Sequence, residues 1–295
     1  MLEEGRIPLP PETVVDVAPP APEDRPQQRR SNDNHTAPPR ETISLVDDLV
    51  MALRFFSRLP VGAAPHGRPS LNRIARALPF ASLVIGIGPA LLLAALAFIG
   101  LPPLVAAAIA VGAMIVVSGA MQEDGLADAA DGLFGGTTRE RRLEILKDSR
   151  HGTYGVSALA LFLIIRVGAL AALVAVHPLA GAAAWLAASV LARSAALWLT
   201  VTLPPARTDG ASAAAGRTGQ TSFGIGIGFA AAITFILAGP PTGLIPVLLA
   251  LALAALIAWG WARLCNRLVG GQTGDLIGAL QALIEAAALA AFLVS

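Results

Sequence analysis

The sequence is short of what a soluble enzyme of its length ordinarily uses. It has one cysteine, Cys265, in 295 residues. That leaves no partner for an internal disulfide and no thiolate set for a metal cluster, so Cys265 reads as a small buried residue. Charged residues make up only 14%, against about 25% in soluble domains. The formal net charge is +1, which gives nucleic-acid binding no electrostatic support, and no nucleic-acid partner is expected. Aromatics are 5%. What is present in excess is aliphatic: 55% of residues are hydrophobic and the mean hydropathy is +0.67. Such a composition belongs to a multi-span membrane protein, and its Ala and Gly content suits close helix contacts in lipid.

Residues 1–42 are rich in Pro, Glu, Asp, Arg, Asn and Gln and have no sustained apolar period. A segment of that kind cannot bury enough surface to offset its ordering entropy, so it is expected to be a disordered extension. It has neither an h-region nor a small-residue cleavage site and does not read as a secretory signal; Met51 offers a later start. Residues 43–295 are expected to form the membrane-embedded catalytic domain. From Ser44 to Arg58 the sequence is amphipathic at helical spacing, with Leu45, Val46, Leu49, Leu53 and Phe56 near one face. Apolar segments then recur at about 78–99, 103–120, 154–176, 178–203, 224–239, 243–262 and 275–294. The connections alternate. Those near 100–103, at His177 and at 240–242 are short and uncharged. Those at 54–77, 121–153, 204–223 and 263–274 are longer and hold nearly all the Lys and Arg. The positive-inside rule puts the long set in the cytoplasm. The expected fold is therefore an all-α polytopic bundle of about seven spans, in the cell (inner) membrane and in contact with lipid, with its active site facing the cytoplasm.

The densest chemistry lies in QEDGLADAADGLFGG, residues 122–136. Glu123, Asp124, Asp128 and Asp131 crowd into nine residues, and the stretch contains no Lys or Arg. On a helix, positions 124, 128 and 131 fall within roughly 60° of one face. Like charges so placed repel and raise one another's pKa unless a cation sits between them. Oxygen donors without His or Cys suit a hard ion such as Mg²⁺. A solvated acidic face is the plainer reading, but such faces usually mix signs at i,i+4. The glycines at 125, 132, 135 and 136 would permit close approach of a bulky ligand.

The next stretch, TTRERRLEILKDSRHGTYG, supplies Arg139, Arg141, Arg142, Lys147 and Arg150, which could hold phosphates bridged by such an ion. Ser149 and Thr153 add hydroxyl donors. Gly152 and Gly155 offer amides for an anion nest. His151 reads either as an acid–base group or as a polar lead-in to the next span. Arg166 and Arg193 fall near span midpoints, where a charge costs at least ~2.5 kcal/mol and needs a partner. Each is either one half of an interhelical ion pair or a contact to an anionic substrate. In GGQTGD, Asp275 opens the last span, Glu285 lies half-way along it, and Gly274 and Gly278 form a small-xxx-small pair.

FSRLP at 56–60, EDGLADAADGLFGG, LKDSRHGTYG and GGQTGDLIGAL, in that order, resemble the cobalamin synthase family over roughly residues 44–295. His151 stands where many members have an aliphatic residue, and the 204–223 segment with Arg207 resembles the family only loosely. The resemblance implies a Mg²⁺-dependent enzyme that moves adenosylcobinamide phosphate from adenosylcobinamide-GDP onto α-ribazole or its 5′-phosphate. GMP is released, and adenosylcobalamin or its 5′-phosphate forms. The expected site has Asp124, Asp128 and Asp131 as catalytic carboxylates, and these three with Glu123 holding Mg²⁺. Lys147, Asp148, Ser149, Arg150, Gly152, Thr153, Arg193 (in LARSAALW) and Asp275 are expected to bind substrate. Homo-oligomers are compatible with the sequence. Two other readings of the acidic helix are a CDP-alcohol phosphotransferase-like enzyme and a cation transporter. The first pattern, D-G-x-x-A-R, wants Ala-Arg where Asp128-Ala129 stands, and its second half has no match. The second favours acids in the middle of spans.

Overall fold

The computed structural model describes residues 44–62, 69–148, 150–207, 210 and 214–294. The extension expected at 1–42, and Ser149, lie outside the described residues. Ser44 starts the first helix, α1 (Leu45–Phe56), with a capping box: its hydroxyl accepts from the Asp47 amide, and its own amide donates to Asp47 Oδ2. The buried face of α1 is Asp48, Met51, Ala52, Leu53 and Phe56, whereas Leu45 and Val46 are exposed. The helix is thus rotated from the face that the apolar pattern predicts. The physical reason is Asp48, which is drawn inward by Arg73 of the next helix, Nη2 to Oδ1 2.6 Å.

Among the described residues ten further helices follow: α2 (Leu71–Phe98), α3 (Pro103–Ser118), α4 (Met121–Gly135), α5 (Arg139–Ile145), α6 (Thr153–Val176), α7 (Pro178–Ala196), α8 (Trp198–Thr202), α9 (Gln220–Thr242), α10 (Leu244–Val269) and α11 (Gly274–Ala291). Among the described residues there is no strand, only a β-bridge between Pro205 and Gln272 that ties the end of α8 to the start of α11. The chain is an all-helical polytopic bundle. Among the described residues six helices are long and apolar enough to cross a membrane, and the count is seven if the α3–α4 pair, bent by 87°, is taken as one span. Helix α7 runs through the centre, with Trp185 fully enclosed, while α9 and α10 expose long apolar faces.

The polar connections gather at one end. Arg58, just after α1, donates its amide to Val117 at the end of α3, 2.8 Å. The Gly219 amide before α9 donates to Asn72 at the start of α2, 2.8 Å. Arg139 donates to the carbonyls of Val269 and Ala206, 2.9 and 3.1 Å. Helix α3 therefore reaches this charged end by itself, and α4 turns across the end. The stretch Met121–Gly135, expected within a connecting loop, is instead a packed helix of the bundle. The turn is made by two consecutive left-handed residues, Gly119 (φ 69°) and Ala120 (φ 57°). Glycine takes that conformation freely, whereas at Ala120 it carries a cost of roughly 1–2 kcal/mol. At the opposite end the connections are short, as expected, but α9 continues through Pro240 and Pro241, so that Gly243 alone (φ 93°) separates it from α10.

Candidate active site

Helix α4 is held against α11 by close backbone contact. A Cβ added at Gly125 would lie 2.7 Å from the Asp275 carbonyl oxygen, and one at Gly278 would lie 2.8 Å from that of Met121. This crossing of Gly125 with Gly278 takes the place of the expected Gly274–Gly278 pair, for Gly274 has open space around it. The contact sets Asp124 and Asp275 on one wall of a cavity of about 220 Å³. Arg207, Gln272, Thr273 and Gln281 supply further polar lining, and Phe55, Phe56, Leu71, Leu197 and Ile277 form an apolar wall. Arg207 Nη2 lies 3.4 Å from Asp275 Oδ2, and the Thr273 hydroxyl donates to the same oxygen at 3.2 Å.

The four acidic residues expected to share an ion are not brought together. Asp128 is mostly enclosed on the same end of α4 as Asp124, with His151 Nδ1 3.8 Å from its Oδ1. Its pKa is pushed up to about 7, first by burial and then by the charges of Asp124 and Asp275; His151 opposes this, and Asp131 adds to it. Asp131 faces away and does structural work. Its two oxygens accept the amides of Gly152 and Gly155 at 2.6 and 2.9 Å. Gly152 is the N-cap residue of α6 and has no capping side chain of its own, so the carboxylate of Asp131 caps that helix from across the interface. The anion nest expected from these two amides is thus filled by the protein's own carboxylate.

Glu123 points into the bundle. Arg166 Nη1 donates to Glu123 Oε1 at 2.7 Å and Arg166 Nε to Glu285 Oε1 at 3.0 Å. Trp185 Nε1 also donates to Glu285 Oε1, 2.9 Å, and Gln122 Nε2 bridges Glu123 and Glu285 at 3.1 Å each. Gln281, on the cavity wall, donates to Gln122 and so joins this buried network to the cavity. A carboxylate paired with a fully buried arginine is not available to a metal, so Glu123 leaves the expected ligand set. Among the described residues, no three His, Cys, Asp or Glu side chains stand close enough to hold one ion by themselves.

The remaining expected contacts divide in the same way. Arg193 is buried, 3% exposed, and does not line the cavity. Its Nη1 has no hydrogen-bond partner among the described residues, and Glu285 and Glu123 are the acids whose charge acts on it. Arg150 is exposed and forks onto Asp148, Nη2 to Oδ2 2.6 Å and Nε to Oδ1 3.0 Å. That contact holds the Asp148 carboxyl down to about 2. Lys147 and Thr153 are exposed at the turn before α6. The basic run expected to grip phosphates is largely engaged elsewhere. Arg139 ties α5 to the ends of α8 and α10, Arg142 donates to the Leu133 carbonyl, and Arg141 pairs with Glu144. Sequence reasoning missed the roles of Phe55, Phe56, Gln272 and Gln281 as cavity walls. Their signal was present, since the first two adjoin SRLP and Gln272 lies within GGQTGD.

A family model described as cobalamin-5-phosphate synthase matches residues 48–293. Three curated relatives, each named adenosylcobinamide-GDP ribazoletransferase, align with most of both chains. The protein from Azorhizobium caulinodans is 46% identical over 254 residues, covering 85% of this chain and 96% of the relative. That from Rhizobium etli is 42% identical over 249 residues, 83% and 95%, and that from Bradyrhizobium diazoefficiens is 42% identical over 246 residues, 83% and 92%. No solved structure matches.

Proposed function

The chain belongs to the cobalamin-5-phosphate synthase family, and from that membership we propose that it is an adenosylcobinamide-GDP ribazoletransferase. In the reaction a ribose hydroxyl of α-ribazole, or of its 5′-phosphate, attacks the phosphorus on the corrinoid side of the diphosphate. A new P–O bond forms to that hydroxyl oxygen, the bond to the GMP oxygen breaks, and the hydroxyl proton passes to a base. The observation that carries this reading is the cavity at the charged end, where Asp124, Asp275 and Arg207 face an apolar wall headed by Phe55 and Phe56. An amphipathic acceptor, with an aromatic base and a ribose, suits two such walls.

A carboxylate of the acidic helix would take the hydroxyl proton. Mg²⁺ fits the donor set as a cation held by one or two carboxylates, with water and substrate phosphate completing its shell. Asp124 and Asp128 would hold it, with Asp275 beside them. The raised pKa of Asp128 supports this, because the crowded carboxylates favour protonation when no cation neutralises them. Bound there, the ion would offset charge on the diphosphate. Arg207 is the cation placed to meet a phosphate oxygen across the cavity from Asp124, at the cost of loosening its contact to Asp275. A cation transporter would need the mid-bundle acids Glu123 and Glu285, and both are already paired with Arg166. The charged end is assigned to the cytoplasm by its arginine-rich connections.

The test is direct. Purified protein given adenosylcobinamide-GDP, α-ribazole and Mg²⁺ should release GMP in step with corrinoid product. Absence of GMP with properly inserted protein would overturn the assignment.

A further inference from the structure

Away from the charged cavity, a second cavity of about 260 Å³ opens between α7, α9 and α10. Its walls are apolar: Leu191 and Ala195 from α7, Trp198 from α8, Phe223 from α9, and Ala254 and Trp259 from α10. Trp198 and Phe223 meet at 5.6 Å between ring centroids, so the groove is bounded by aromatic rings toward the charged end. It then runs toward the middle of the bundle, reaching Leu251 on α10. From Leu251 to the end of α10 at Val269 is about 27 Å of helix. On α10 the lining, from Leu251 to Trp259, sits about the middle of the helix, whereas on α7, α8 and α9 it sits toward the charged end. Helices α9 and α10 are peripheral and expose much of their apolar surface.

The charges around its mouth are of one sign. Arg263 stacks over Trp259, 4.2 Å from the ring centroid. Arg267 lies one turn further along α10, and Arg217 donates to the Val201 carbonyl, one turn past Trp198. All three arginines are exposed, and none forms an ion pair with an acid among the described residues. From residue 210 to residue 274 the sequence contains no Asp or Glu at all. An apolar slot that runs from the middle of the bundle toward the charged end, edged by aromatics and with exposed arginines beyond it, has the chemistry of a phospholipid site: acyl chain below, acidic headgroup above.

We propose that the α7–α9–α10 groove binds one acidic phospholipid from the leaflet at the charged end, its acyl chain lying against Trp198 and Trp259 and its headgroup meeting Arg263, Arg267 and Arg217. The lipid fills space that the small side chains of α10 leave open, and it ties the loosely flanked α9 and α10 to the central α7. This is independent of the reaction at the other cavity, and its readout does not involve turnover.

The groove contains its own reporters, since two of the four tryptophans line it and the chain has a single tyrosine. The protein would be reconstituted in phosphatidylcholine and titrated with phosphatidylglycerol whose acyl chains are brominated, which quench nearby indoles. The expected result is a saturable quenching component with a midpoint at least about fivefold lower in mole fraction than for brominated phosphatidylcholine, as about 1 kcal/mol per arginine implies. Arg217→Gln, Arg263→Gln and Arg267→Gln together should bring the two midpoints together while leaving the apolar slot intact. Ala254→Phe, which fills the slot, should remove the saturable component for both lipids. Equal midpoints in the unaltered protein would overturn the headgroup site, and so would a preference that survives the triple arginine change. A saturable component unaffected by Ala254→Phe would place the quenching lipid elsewhere. Quenching that appears only as the protein is diluted in the bilayer would show a second copy of the chain covering the groove instead. The arginine variant alters only exposed positions, so it keeps the test decisive if Ala254→Phe fails to insert.

Discussion

At the scale of single residues, the acidic helix separates four carboxylates into three roles. Glu123 is half of a buried ion-pair network, Asp131 is a cap for α6, Asp124 lines the cavity, and Asp128 lies one turn further along α4 beside His151. Asp128→Asn keeps size and removes charge. Turnover should fall by at least ~10²-fold, about 2.7 kcal/mol of transition-state stabilisation, in steady-state assays at saturating substrate. Normal turnover at limiting Mg²⁺ would remove Asp128 from the mechanism. The same variant has a stability signature. The folded-state pKa of Asp128 lies above its ordinary 3.8, so the folded protein holds that proton more tightly than the unfolded chain does. The resulting stability is fully present below about pH 4 and is lost as pH rises through about 7. Metal-free Asp128→Asn should therefore melt higher than the parent at pH 8, with the difference vanishing toward pH 4. Arg166 makes a contrasting prediction. Arg166→Ala strands Glu123 and Glu285 in a buried setting, a loss of about 3–5 kcal/mol, read as a lower melting temperature and poor recovery from membranes. Replacing Arg166 and Arg193 by Met together with Glu123→Gln and Glu285→Gln should restore most of that stability, because two buried cations and two buried carboxylates are removed together and no uncompensated charge is left behind.

At the scale of elements, the sequence was legible where one physical signal dominates and opaque where two compete. The apolar runs located the crossing helices to within a turn or two, since length and hydropathy alone decide whether a segment can span. The acidic stretch was expected to be helical but to lie in a polar loop. The reason lies in Gly119 and Ala120: no hydropathy pattern reveals an 87° turn, and polar residues in 122–131 masked a helix whose partners are other polar residues. The face of α1 was misjudged for a similar reason, because apolar periodicity cannot register that Asp48 would be buried by Arg73. The small-residue signal at 274 and 278 pointed to the right helix, yet its true counterpart, Gly125, lies 153 positions from Gly278 in sequence. That contact is testable. Gly278→Leu would drive a side chain into the Met121 carbonyl and force α4 away from α11, widening the space between Asp124 and Asp275. Activity should drop by at least ~10-fold, with the protein still inserted in the membrane. Gly274→Ala, in open space, should stay within about twofold. Similar behaviour of the two variants would show that the crossing does not set the site.

At the scale of the whole molecule, the catalytic reading and the topology stand or fall separately. Deleting residues 2–40 should leave turnover nearly intact, since that stretch has neither motif nor apolar period; a loss beyond about tenfold at unchanged expression would assign it a role. The orientation rests on charge. Connections at the end holding the acidic helix include Arg54, Arg58, Arg139, Arg141, Arg142, Lys147, Arg217 and Arg267, whereas those at the other end, near 100–102, 177 and 243, carry no Lys or Arg. By the positive-inside rule such asymmetry is expected of an end that faces the cytoplasm, the side proposed above for the charged end. The chain is well suited to checking this, because its one cysteine, Cys265, is 0% exposed and gives no background to a bulky thiol reagent. Leu101→Cys and Pro241→Cys place thiols at the uncharged end, and Arg141→Cys places one on an exposed turn of α5. A membrane-impermeant maleimide applied to the outside of intact cells should label 101 and 241 and leave 141 untouched until the membrane is opened. The reverse pattern would turn the bundle over, putting the carboxylates outside and leaving the cavity without access to cytoplasmic substrate, whatever the purified enzyme does in a detergent solution.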